Sequence, residues 1–186
     1  MKKIAMLAVL LAVSFVAKAQ KVDKNEIDEK GTWHITTNFC AFYTENEMHG
    51  YTLSYWKDNS LDGYMLNFMF MEQAMRWEAQ KKDGLLIKTA SGEKHYIDCV
   101  VSKSQLARDR KGVHYMTSNM YYIPKDNIGI LEDGLVKIRV MQIMESGNES
   151  YFDIELPEDV TTTLKKAVKN INKAIAQGAT VDKSEF

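Results

Sequence analysis

Among the 186 residues only two are cysteine, Cys40 and Cys99, and only two are proline, Pro124 and Pro157. No Cys-x-x-Cys pair occurs, and the four histidines, His34, His49, His95 and His114, fall into no HxH or HExxH spacing, so a local metal motif is excluded. No Gly-x-Ser-x-Gly elbow is present; Ser91, Ser118 and Ser146 sit in contexts that turns and strand surfaces explain. Charge of one sign is not in excess, with 24 Lys and Arg against 25 Asp and Glu. That balance argues against general nucleic-acid binding, which rests on clustered cations neutralising phosphates. Neither an internal repeat nor a low-complexity tract is found, which excludes a solenoid.

What is present begins with a leader. Lys2 and Lys3 precede an apolar run at 4–17 that is too short to span a bilayer comfortably, and Ala17-Lys18-Ala19 offers small residues where a signal peptidase reads. Residues 1–19 are therefore expected to be a signal peptide of bacterial character, with cleavage leaving Gln20 first. The first cysteine is Cys40, so no lipid-anchoring cysteine follows the run. The expected location is periplasmic or secreted, with no transmembrane segment in the mature chain. Loss of Lys2, Lys3 and Lys18 from the 24 basic residues leaves 21 against 25 acidic ones, a mildly acidic protein.

Residues 20–31 are charged and aperiodic and read as a flexible lead-in. Residues 32–43 alternate, with Trp33, Ile35, Thr37, Phe39 and Tyr43 on one face, which predicts a first long strand. A polar turn at 44–50 and a strand at 51–57 follow. Residues 63–71 break the alternation: Tyr64, Leu66, Phe68 and Phe70 fill one face and Met65, Met69 and Met71 the other, as in a central strand covered on both sides. Residues 72–82 suit either a short helix or an edge strand. Strands at 85–89 and 94–101 enclose a turn at 90–93, residues 102–112 read as an exposed polar loop, and 113–123 is a strand rich in Tyr and Met. Pro124 opens a short helical turn that ends at Asp133-Gly134.

Strand 135–144 and a return strand starting near Tyr151 form a hairpin about Ser146-Gly147-Asn148-Glu149, whose Gly and Asn accept positive φ. From about Asp159 the period changes to helical, with Val160, Leu164, Ala167, Val168, Ile171 and Ile175 on one stripe and Lys165, Lys166, Lys169 and Lys173 opposite. Such a helix is stable only against a sheet. Gly178 stops it, and 178–186 is a tail. The expected fold is α+β, mainly β: one domain over 32–177 in which a curved antiparallel sheet or sandwich of about eight strands carries the C-terminal amphipathic helix.

For function, these residues favour an exported, non-catalytic binding or interaction module. Trp33, Trp56, Tyr121 and Tyr122 are its candidate contacts, because aromatic rings stack on sugars or pack on a protein partner. Its ligand is an unknown protein, a glycan or an apolar small molecule. The last of these defines an alternative, a carrier whose Met and aromatic side chains line a cavity. Thioethers at Met65, Met69, Met71 and Met75 also suit Cu(I), although their alternation with aromatic residues reads as core packing, and no cofactor is expected. A hydrolase-type enzyme would depend on His34, His95 and His114 with nearby carboxylates meeting in space. In an oxidising compartment Cys40 and Cys99 either bridge or pack as two small buried thiols.

Overall fold

Strands of period two build two antiparallel sheets, and one helix of period 3.6 leans on both. The computed structural model describes residues 21–44, 47–72, 84–109, 112–143 and 149–179. The expectations for the leader at 1–19, for 73–82, for the turn at 144–148 and for the tail beyond 179 lie outside those residues.

The larger sheet has seven strands among the described residues. They are β1 (Val22–Ile27), β2 (Trp33–Thr37), β3 (Cys40–Thr44), β4 (Glu47–Lys57), β5 (Asp62–Glu72), β8 (Cys99–Asp109) and β9 (Gly112–Pro124). Their order is β1-β2-β4-β5-β9-β8, with β3 pairing the other half of β4's outer edge. The smaller sheet runs β11 (Glu149–Glu155), β10 (Leu135–Ile143), β6 (Leu85–Thr89), β7 (Lys94–Ile97). After Pro124 a single 3-10 turn, Lys125–Asn127, leads into α1 (Gly129–Asp133), and the chain ends in α2 (Glu158–Gln177).

Register sets the core. Tyr55, Tyr64 and Ile123 form one row across β4, β5 and β9; Leu53, Leu66 and Tyr121 form the next, and Tyr51, Phe68 and Asn119 a third. All nine are buried. The eight other than Asn119, with Leu85, Ile87, Ile138, Val140 and Ile154 of the smaller sheet and Val160, Leu164, Ala167, Val168 and Ile171 of α2, form one continuous cluster. Burying each large aliphatic side chain contributes roughly 1.5–3 kcal/mol, which gives the helix the packing that its short length cannot supply alone. Helix α2 starts after Pro157 with Glu158 and Asp159 in its first turn, where carboxylates complement the helix dipole. It touches β1, β2, β4 and β10, so it spans both sheets. Polar clasps fix its height: Thr161 Oγ1 donates to the Leu135 carbonyl at 2.6 Å, the Tyr64 hydroxyl donates to Asn172 Oδ1, and Asn172 Nδ2 donates to Glu132 Oε1 at 3.2 Å.

The α+β class, the antiparallel pairing and the covering helix are as the sequence reads. Five expectations change, the first being that the turn expected at 44–50 gives its second half to β4, which begins at Glu47 rather than at Tyr51. Part of the lead-in is β1, paired to β2 by Asn25–Ile35 and its neighbours. The polar loop at 102–112 belongs largely to β8 and the start of β9; Ser102 Oγ donates to Asn119 Oδ1 at 2.8 Å and Ser104 Oγ lies 3.2 Å from Thr117 Oγ1, so the inward polar positions are bonded. The long strands at 32–43 and 94–101 are each two strands, broken at Asn38-Phe39 and at Asp98. At Asp98 the chain leaves one sheet for the other, and a bulge between Cys99 and Val101 puts Cys99 inside while leaving Val101 40% exposed.

The cysteines share no bridge. Both are buried thiols, and β4, β5 and β9 separate β3, which carries Cys40, from β8, which carries Cys99. Each stands opposite a buried tyrosine, Cys40 against Tyr51 and Cys99 against Tyr121. Burial raises the Cys40 thiol above its ordinary range, which favours the protonated, unreactive form.

Candidate functional site

The four aromatic candidates do not gather at one place, because strand alternation divides them. Tyr121 is fully buried in the core, and that burial holds its phenol far above the ordinary value; it is not available as a contact. Trp33 is half-buried beside the core, with its indole N–H donating to Asn25 Oδ1 at 2.7 Å and its ring edge-on to Tyr55 at 5.8 Å. Trp56 is half-buried on the opposite face, where its N–H donates to Ser54 Oγ at 3.1 Å and His34 approaches to 4.7 Å between ring centroids. Tyr122, one residue from Tyr121, faces outward as alternation requires.

Tyr122 opens the way to the site. At the corner where β7 gives way to β8, the two sheets part around a cleft of about 310 Å³. Its walls are Tyr96 from β7, Val100 from β8, Tyr122 and Pro124 from β9 and Ile130 from α1, over a floor of Ile97 and Ile123. Asp98 and Asn127 supply its polar edge.

Both tyrosines are held by the same device. The Tyr122 ring lies over Gly63, where a Cβ would stand 2.5 Å from Cε2 and 2.6 Å from the Ile123 carbonyl oxygen. The Tyr96 ring lies over Gly84, where a Cβ would stand 2.5 Å from Cζ and 2.4 Å from the Ile97 carbonyl oxygen. In each case the tyrosine is diagonal to the glycine: Tyr122 pairs with Met65 and Tyr96 with Leu86, each two residues after the glycine concerned. Their hydroxyls are tied as well, Tyr122 donating to the Asp62 carbonyl at 3.1 Å and Tyr96 accepting from Gly84 N–H at 2.6 Å. Rings fixed at both ends lose little rotamer freedom when a ligand arrives. The side chains of Asp98 and Asn127 make no hydrogen bond or ion pair among the described residues.

Sequence reading reaches Tyr122 but misses Tyr96, Asp98 and Asn127. A signal for Tyr96 existed: Ile97 is inward, so alternation turns Tyr96 outward, and Gly84 offers an aromatic ring a seat on the neighbouring strand.

The histidines stand apart. His34 Nε2 lies 3.0 Å from Asp28 Oδ2 on the larger sheet, and His95 Nε2 lies 3.3 Å from Glu93 Oε2 on the smaller one. The side chain of His114, on β9, is outside the described ones. Among the described residues no three of His, Cys, Asp and Glu form a group able to hold a metal. The methionines occupy an unexpected place. Met48, Met69, Met116 and Met120 are half-buried on the face of the larger sheet turned away from the core, and Met65 nearby is nearly covered. Among the described residues no helix is long and apolar enough to cross a membrane.

No family model matches this chain, and neither a curated protein nor a solved structure matches it.

Proposed function

We propose that the protein is an exported, non-catalytic binding module that receives a glycan in the cleft between its sheets. The observation that carries the reading is the pair Tyr96 and Tyr122: two pinned rings from different sheets, flanking an open cleft whose edge holds a carboxylate and an amide that no described residue engages. A sugar ring presents an apolar face of C–H groups and a rim of hydroxyls. Tyrosine faces take the first, and Asp98 and Asn127 accept or donate to the second, a few directional polar groups in a largely apolar recess. The leader at 1–19 supports export, and material recovered outside the cytoplasm is expected to start at Gln20.

Calorimetric titration with a panel of oligosaccharides tests the reading. Truncating an aromatic anchor typically costs 1–2 kcal/mol or more, so Tyr122→Ala weakens binding about tenfold or more. Val101→Ala, at an exposed position outside the cleft lining, leaves it unchanged. A panel with no binder, or a Tyr122→Ala protein that binds as well as the parent, removes the proposal.

A further inference from the structure

The outer face of the smaller sheet carries a row that folding alone does not account for. Lys94 on β7 pairs with Lys88 on β6, and Lys88 pairs in turn with Lys137 on β10. Like charges directly opposite one another destabilise a sheet. Lys137 is compensated, with its ammonium 2.8 Å from Glu155 and 3.2 Å from Asp153. Arg139, one row over, is held at both ends by Asp153 at 2.5 and 2.8 Å and lies over the Tyr151 ring at 5.6 Å. Lys88 and Lys94 have no carboxylate partner among the described residues. The four cations rim an open groove of about 240 Å³ with Leu86 at its base. The groove adjoins the cleft, because Tyr96 is two residues from Lys94 on the same face of β7 and lines the cleft wall.

We propose that this groove binds the acidic groups of an anionic glycan, carboxylate or sulfate, whose uncharged part lies in the cleft. The identity of the ligand as a glycan rests on the reading of the cleft; its charge rests on the lysine row. Unpaired ammonium groups on adjacent strands stand about 5 Å apart at the backbone, close enough to share one oxyanion or to meet successive ones. An extended nucleic-acid backbone suits the groove less well, because Asp153 and Glu155 are interleaved with its cations and the chain after removal of 1–19 is acidic.

The test uses matched pairs of oligosaccharides, one uronate-containing or sulfated and one neutral, with inorganic phosphate and single-stranded DNA as competitors. The acidic member binds about tenfold more tightly than its neutral match, and added salt narrows the difference. Lys88→Glu abolishes the preference, keeps the neutral affinity, and raises Tm because it breaks the like-charge row. A role confined to stability does not move the acidic preference, so the two readouts separate. Equal affinity for both members, a preference that survives Lys88→Glu, or tighter binding of phosphate or DNA overturns the anion proposal while leaving the cleft reading intact. If neither member binds, the cleft reading itself has failed.

Discussion

His49 shows how a single buried group makes stability depend on pH. It is 2% exposed, sits between the rings of Phe42 at 5.4 Å and Phe70 at 5.9 Å, and has Thr44 Oγ1 2.8 Å from Nε2. Burial lowers its pKa from 6.5 to about 4. Between those values the unfolded chain takes up a proton that the folded chain refuses, so stability is full above pH 6.5 and falls as the pH drops toward 4. A shift of that size corresponds to a loss on the order of 3 kcal/mol. Urea titrations across this range are expected to show the loss in the parent and a flatter profile in His49→Gln; parallel profiles exclude the role. Asp133 and Asp153 act lower down. Side-chain hydrogen bonds to Asp133 from Thr89 and Ser91, and to Asp153 from Arg139, hold both at about 2, so their contributions are present above the ordinary carboxylate value and disappear below it.

The same scale explains what could be read in advance of the site. Tyr121 and Tyr122 are adjacent in a strand whose two faces each mix apolar and polar residues, Thr117, Asn119 and Tyr121 against Met116, Ser118, Met120 and Tyr122, so alternation says that one is inside without saying which. Hydrophobicity gives no help there. The partner glycine decides it: Gly63 leaves room for a ring on the outer face of β5, and Tyr122 fills it.

Among the elements, α2 was the most legible, because five of its six stripe residues, Val160, Leu164, Ala167, Val168 and Ile171, are buried and the sixth, Ile175, packs half-buried against the core, with Thr163 and Ala174 buried beside them. Leu164 stands at its middle with no exposure. Leu164→Ala is expected to cost 2–5 kcal/mol in chemical denaturation, whereas Lys166→Ala, on the solvent side, stays within about 0.5 kcal/mol. Similar small losses for both contradict the packing described for the helix. Strands β1 and β8 escaped notice for a shared reason. They are the two ends of the larger sheet, and edge strands carry polar and charged side chains that discourage pairing with other chains. Asp23, Lys24 and Glu26 on β1, and Lys103 and Gln105 on β8, therefore resemble loop sequence. The breaks at Asn38-Phe39 and Asp98 were hidden because the alternation on either side of each is uninterrupted in composition, and only pairing partners reveal that the ladder changes.

For the molecule as a whole, the decisive fact is that both sheets and α2 contribute to one buried cluster. Among the described residues neither sheet has a second apolar core to retain when the shared one opens. Heating or urea is expected to give a single transition, with aromatic circular dichroism, dominated by the larger sheet, and amide circular dichroism changing together. Two separated midpoints contradict a shared core.

The corner at Asp98 has a mechanical meaning. Because one wall of the cleft belongs to each sheet, a ligand of the proposed kind seated between Tyr96 and Tyr122 would brace the two layers against splaying. Helix α2, whose stripe packs on both sheets, is the other strut joining the same two layers.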